Sequence, residues 1–507
     1  MQQSRTKNAK RNIFWGMVQK IVGLFCPFLV RTVMIYYMGT LYVGLNGLFT
    51  SILQVLSLAE LGFGEAMVFS MYKPIAENNK GKICALLALY KKIYTTIGIV
   101  ILGAGMIIMP FLDNLISGNV PDNINIYVLY MVYLLNTSLS YFLYAYKGSL
   151  FIASQRNDIK TNINTITSLI MYILQMLVLV LFRSYYIYCI AILFTTVLNN
   201  FLIEYKAIRV FPEFIPSGKV ADSEKTDIQK RVSGVFIYKV CGVFRNSFDS
   251  IIISAFLGLT VLAQYQNYYF IVNAIMGLML IITTSITSGV GNSLASESVE
   301  KNYNDFTKFQ YIYMWITSWC TACLFGLFQP FMELWVGTES MYSNAIASIF
   351  CVYFFTSQMG NICYVYRQAA GLWWQDRYRP IIEAVVNLTL NIALVKLIGV
   401  SGVLLSTIAC LVLINFVWGA HILYKHYFVG IREKGYLLRT VLFSIVTCLG
   451  CVASMAIANL YTTTGILNLI ARGITIFIVS SLIYVLCTLF LPECKSALMF
   501  VKRVILH

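Results

Sequence analysis

The chain has 507 residues, of which 59% are hydrophobic and 11% charged, with a mean hydropathy of +0.75 and a net charge of +16. A soluble globular protein carries about 25% charged residues, so this composition cannot clothe a core of such size in water. Apolar runs recur from residue 12 to residue 491, which excludes soluble enzymes, nucleic-acid binders and disordered tails and leaves a polytopic helical membrane protein.

In chain order, the basic stretch 5–11 leads into an apolar run longer than a signal peptide's, with no small-residue cleavage site, and is expected to remain as the first span. A span needs ~20 mostly apolar residues. Fourteen segments qualify: 12–38, 42–71, 86–112, 124–146, 161–182, 184–204, 231–257, 260–289, 309–330, 342–366, 380–398, 399–424, 440–460 and 469–491. With both termini placed in the cytoplasm, 30 of the 37 Lys and Arg fall on the inner side, as the positive-inside rule requires. That count includes Lys147, Lys160, Arg367 and Arg379 as cations of inner connections. The polar stretch 205–230, with Pro212, Pro216 and Gly218, reads as a cytoplasmic linker between two halves.

An offset of 219 residues lays 19–39 on 238–258, matching Lys20 with Lys239, Gly23 with Gly242, Phe25 with Phe244 and Gly39 with Gly258. Six spans separate the copies, so the halves face the same way and form a parallel repeat, with a site expected where they meet. The expected organisation is an N-lobe of six spans (1–204), a C-lobe of six (231–424), and two further helices with a tail (425–507).

Four cations lie inside apolar spans: Lys20 and Arg31 in the first, Lys239 and Arg245 in the seventh. Three acids join them, Glu60 and Glu65 in the second span and Asp249 one turn after Arg245. A cation at a helix centre costs ~2.5–3.5 kcal/mol on insertion scales, so such groups face a bundle interior or a wet cavity. The plainer alternatives are snorkelling for the lysines, an outer-face anchor for Arg31, a structural Arg245–Asp249 pair, and a water boundary at Glu60 and Glu65. The last two bracket Gly62 and Gly64, where the helix is expected to break. Cations concentrated on the first helix of each half suit an anion such as a phosphate or diphosphate.

The remaining motifs carry little chemistry. The pairs Cys320/Cys323 and Cys448/Cys451 stand on apolar helices and read as buried apolar side chains. No phosphate-binding loop occurs, and His421, His426 and His507 lie at or beyond helix ends. Neither a cofactor nor a catalytic site is expected.

Several stretches carry a resemblance to a known family: 31–83, 231–265, "GVGNSLASESVEKNYNDF" at 289–306, "PFMELWVG" at 330–337 and "AAGLWWQDRYRPIIEAVVNLTLN" at 369–391. There the chain resembles the polysaccharide-transporter family of oligosaccharide-lipid flippases, above all capsule-cluster members of low-GC Gram-positive bacteria. The resemblance implies two six-helix lobes around a central cavity in a bacterial plasma membrane. It also implies flipping of an undecaprenyl-diphosphate-linked oligosaccharide by alternating access, with polysaccharide polymerase and glycosyltransferases as possible partners. Cations on the first helices of the lobes engage the diphosphate in such flippases; by helix and depth these are Lys20, Arg31, Lys239 and Arg245, leaving Glu60, Glu65 and Asp249 for ion coupling. The alternatives are a lipid II flippase, a cation-coupled exporter of the multidrug and toxic compound extrusion (MATE) type, and a non-transporting scaffold. The first span holds no acid, which counts against the exporter.

Overall fold

A computed structural model describes residues 5–60, 63–458, 460–461 and 465–506. Among the described residues every regular element is helical. Among the described residues twelve helices are long and apolar enough to cross a membrane, with a pair bent by 50° as a thirteenth span. The chain is a multi-pass membrane protein. It divides into two compact units, residues 1–263 and 264–507.

The first unit contains α1 (Arg5–Met38), α2 (Thr40–Leu56), α3 (Phe63–Ala76), α4 (Lys80–Ile108), α5 (Ile126–Phe142), α6 (Gly148–Ala153), α7 (Asn157–Leu181), α8 (Tyr185–Val210) and α9 (Asp222–Leu257). The fourteen expected segments are helical over most of their described length, but thirteen at most qualify as spans, because the second is divided into shorter helices. The second is divided earlier than the glycines predicted: α2 ends at Leu56, a 3-10 turn runs over Ser57–Glu60, and α3 starts at Phe63 and includes Gly64. The fourth is the bent pair, interrupted by a 3-10 turn at Ala145–Lys147. Asparagine side chains cap two starts: Asn79 accepts from Lys82 N at 3.1 Å, and Asn125 from Tyr127 N at 3.1 Å and Val128 N at 3.2 Å. Such caps satisfy amides that have no partner inside the helix.

One pair of glycines aligned by the repeat ends its helices in a single conformation. Gly39 has φ 94° and ψ 173°, Gly258 φ 89° and ψ 172°, and each is followed at once by a new helix. This backbone region is essentially confined to glycine. At Gly258 a Cβ would also stand 2.5 Å from the Ser117 carbonyl oxygen.

The polar connection is shorter than the sequence suggested. α8 continues to Val210 and α9 begins at Asp222, because helical hydrogen bonding persists past the apolar core where polar residues meet water. The linker is pinned to the start of α4 by Ser217 N donating to Cys84 O at 3.2 Å and by ion pairs Lys80–Glu213 and Lys82–Glu224. Asp222, in the first turn of α9, is held below the usual carboxylate range by Lys225, which donates to it at 2.7 Å. α9 packs on α2 and α3 within the first unit.

The second unit holds α10 (Leu259–Ser296, beyond its first residues), α11 (Val299–Val336), α12 (Asn344–Gln358), α13 (Asn361–Ala369), α14 (Tyr378–Ile398), α15 (Val400–Cys410), α16 (Gly419–His426), α17 (Glu433–Ala458), α18 (Ile466–Thr488) and α19 (Pro492–Leu506). A π-helical stretch, Leu411–Trp418, joins α15 to α16. The C-terminal helices pack on α11 through small residues. Gly326 meets Ile476 and Ser454, and Gly450 lies against Ala322 and Ser480. Close approach of this kind gives the van der Waals contact that holds helices together in lipid.

Candidate functional site

Inside the first unit a polar cavity of about 430 Å³ opens among α1, α4, α5, α7, α8 and the turn that ends α2. Its place follows from local structure. The break after Leu56 turns the chain so that Glu60 lies beside Tyr94 of α4 and Tyr141 of α5. Tyr94 and Tyr141 each donate to one Glu60 oxygen, the latter at 2.5 Å, and Tyr90 donates to Tyr94 at 3.0 Å. Lys160, in the first turn of α7, lines the same cavity. Gly148 leaves room for its stem, since a Cβ there would stand 3.2 Å from Lys160 Cε.

The rest of the lining is amide and hydroxyl. α7 contributes Asn164, Thr167 and Ser168 below Lys160, and α8 contributes Thr195, Thr196, Asn199 and Asn200. Residues three and four apart share a helix face, so each helix turns a polar stripe inward. Thr167 donates to Asn199 Oδ1 at 3.1 Å across the two helices. A second cavity of about 500 Å³ adjoins, sharing Glu60, Tyr94 and Lys160 and continuing to Tyr72, Tyr90 and Ser149. Nearby, Lys147 and Glu204 form a buried ion pair at 2.5 Å.

The residues singled out by the sequence are distributed as follows. Glu60 is in the cavity wall. Lys20 is exposed on α1, next to Gln19, which lines the cavity. Arg31 is partly buried further along α1, beside Tyr188 of α8. On α9, Arg245 is partly buried and Asp249 is only 3% exposed; Ser247 between them donates to Gln54 of α2 at 3.2 Å. The side chains of Lys239 and Glu65 lie outside the described residues.

Sequence reasoning missed Lys160, which it counted among loop cations. The signal was present: Lys160, Asn164, Thr167 and Ser168 recur at helical spacing within an apolar segment. It also assigned Lys147, Arg367 and Arg379 to wet inner connections, whereas all three are buried, at 7%, 3% and 1% exposure. In the second unit Arg379 binds both oxygens of Asp376, at 2.6 and 2.9 Å, and Glu383 at 3.0 Å. Arg367 lies 3.9 Å from Asp376, and Asn415, from the π-helical stretch, donates to Glu383 at 2.9 Å. Arg379, Asp376 and Glu383 close on one another, whereas the buried Nε and Nη1 of Arg367 have no hydrogen-bond partner. Among the described residues no group of three or more His, Cys, Asp or Glu side chains is placed to hold a metal ion.

Solved membrane transporters share this architecture. The chain is similar to a multidrug resistance MATE family transporter in an inward-facing conformation, with a TM-score of 0.66 and 14% identity over 83% of this chain and 100% of that one. It is also similar to the lipid II flippase MurJ in an inward closed conformation, with a TM-score of 0.61 and 18% identity over 93% of this chain and 98% of that one. At such identities the likeness establishes the fold. No protein-family model matches the chain, and no curated protein matches it in sequence.

Proposed function

We propose that the protein is a flippase that carries an undecaprenyl-diphosphate-linked oligosaccharide from the inner to the outer leaflet of a bacterial plasma membrane by alternating access. The observation that carries this reading is the presence of basic side chains, Arg31 and Arg245, within apolar spans of a fold shared with a lipid II flippase. Cations so placed suit an anionic headgroup, and guanidinium groups bind phosphate oxygens two at a time. Lys20 and Lys239, on the same two helices, extend the clamp, while Glu60, Glu65 and Asp249 are the acids available for ion coupling. The moving bodies are the lobes 1–204 and 231–424, joined by 205–230, with 425–507 attached. A cation-coupled drug exporter of the MATE type would need an acid in the first span, and α1 has none among residues 12–38.

The test uses a deletion strain and Arg245. Loss of the protein is expected to accumulate a capsule-type lipid intermediate; accumulation of lipid II would make the protein a peptidoglycan flippase instead. Arg245→Ala removes a charge-assisted contact of ~1.5–3 kcal/mol and is expected to lower flipping about tenfold or more at unchanged abundance. Arg245→Lys recovers part of the loss, because charge survives without the bidentate geometry. Wild-type flipping by the Arg245→Ala/Asp249→Asn double variant would mean that Arg245 only balances Asp249, and would overturn the clamp.

A further inference from the structure

We infer that the loop between α13 and α14 carries a binding site for an anionic phospholipid, whose phosphate meets Arg377 and whose acyl chains lie along α14. The site is independent of the cargo that the protein moves.

Position comes first. The span Asn344–Ala369, formed by α12 and α13, and the span Tyr378–Ile398 of α14 are each long and apolar enough to cross a membrane, so the loop joining them stands at the boundary of lipid and water. α14 has 21 residues, about 32 Å of helix at ~1.5 Å per residue, which matches the ~30 Å of hydrocarbon. Its first turn is therefore at headgroup depth. α14 is also inside out. Arg379, Glu383, Asn387 and Asn391 recur every four residues and are buried, whereas Tyr378, Ile381, Ile382, Val385 and Ile392 on the opposite face are exposed. An apolar face turned outward over a buried polar one belongs against acyl chains.

The chemistry sits at the top of that stripe. Arg377 lies between two rings, its guanidinium carbon 3.9 Å from the centroid of Trp374 and 4.3 Å from that of Tyr378. Both rings are well exposed, as aromatic side chains at a membrane interface are. Nη1 donates to Trp374 O at 2.6 Å and Nη2 to the Tyr378 hydroxyl at 3.2 Å. Both acceptors are neutral, so the charge is not compensated and three of the five guanidinium N–H groups remain. A guanidinium stacked in this way suits a phosphate, which it grips through paired N–H groups. A zwitterionic headgroup gains less, because its ammonium needs an acid or a ring of its own. Asp376, next in sequence, is buried and turned to Arg379, and both rings are taken by Arg377.

The loop is held from within. Gly371, at φ 69°, ends the turn after α13, and its N donates to Gln368 O at 3.0 Å. Leu372 N donates to Arg367 O at 3.1 Å, and Asp376 N to Leu372 O at 3.0 Å. Trp374, Arg377 and Tyr378 are thus in place before a lipid arrives, which lowers the entropy cost of binding it.

The test places a photoreactive benzoylphenylalanine at Ile381, one turn from Arg377 on the exposed stripe. The full-length protein is reconstituted in nanodiscs of equal phosphatidylglycerol and phosphatidylcholine with identical chains, and mass spectrometry identifies the cross-linked lipid. Phosphatidylglycerol is expected to exceed its bulk share about threefold, the scale of an exposed ion pair. Arg377→Lys keeps part of that preference, and Arg377→Gln returns cross-linking to the bulk ratio. A benzoylphenylalanine at Ile392, near the other end of the stripe, reports the bulk ratio throughout. Gel filtration identifies a variant that misfolds; if Arg377→Gln does so, Trp374→Leu decides, since it removes an exposed ring and should also lower the preference. No preference at Ile381, the same preference at Ile392, or an undiminished one in the folded variant overturns the site. Cross-linking of a polypeptide instead of lipid at Ile381 in native membranes overturns it too, and makes the patch a protein-docking surface.

Discussion

Each unit buries charged side chains among apolar helices, but the two sets are completed in different ways. In the second unit Arg379 spends three guanidinium nitrogens on Asp376 and Glu383, and Asn415 adds a further donor to Glu383. The fit is tight enough that a Cβ at Gly419 would stand 1.8 Å from Arg367 Nη1. In the first unit Glu60 is held by two tyrosines, but it and Lys160 line open space together with amides and hydroxyls of α7 and α8. A charge network that closes on itself specifies a fold. One that borders a cavity with polar capacity left over is equipped to meet a ligand.

Removing a member of the closed network should therefore act on stability first. Arg379→Ala leaves Asp376 and Glu383 without their main partner, and breaking a buried pair costs about 3–5 kcal/mol. That is a large part of a total stability of about 5–15 kcal/mol. The expected result is poor membrane accumulation and a collapsed thermal transition by fluorescence-detected size exclusion. An unchanged transition would show that the network is not what holds the α13–α14 region.

A smaller effect is expected where the same network is only crowded. Gly419→Ala drives a methyl group into Arg367, and overpacking of this kind costs about 1–3 kcal/mol. The transition should fall but remain cooperative, and transport per folded molecule should stay near wild type. A transport defect larger than the stability loss would give the second cluster a working role and erase the contrast.

The smallest change in stability belongs to the cavity. Lys160→Met keeps the length of the side chain and removes its charge in a space that water can fill, so stability should move by about 1 kcal/mol or less. Transport of the lipid-linked saccharide should nevertheless drop about tenfold, equivalent to ~1.4 kcal/mol, because Glu60 loses its counter-charge. Equal losses of stability and transport would place Lys160 with the structural charges.

How far the sequence reached is clearest at particular residues. That the second span breaks was legible because Gly62 and Gly64 interrupt an apolar run, but not that α2 would already end at Leu56. The helix ends at Gly39 and Gly258 were legible because one repeat placed a glycine at both. Lys160 and Arg379 were not, because a cation beside an apolar segment looks the same whether it projects into water or folds back into the bundle. Asp376 and Glu383 flank Arg379 at three and four residues, a spacing that permits the ion pairs but does not say that they are buried.

By itself the sequence determined that this is a helical membrane protein, where most of its spans run, and that glycine turns the chain at Gly39 and Gly258. Those properties follow from apolar length and backbone freedom, which are local. Tertiary structure alone decided which charges are enclosed, that α7 and α8 turn their amide faces toward one cavity, and that the turn after α2 brings Glu60 to Tyr94 and Tyr141. Those contacts join residues far apart in the chain, as Glu60 and Tyr141, 81 positions apart, and no local pattern encodes which helix faces will meet.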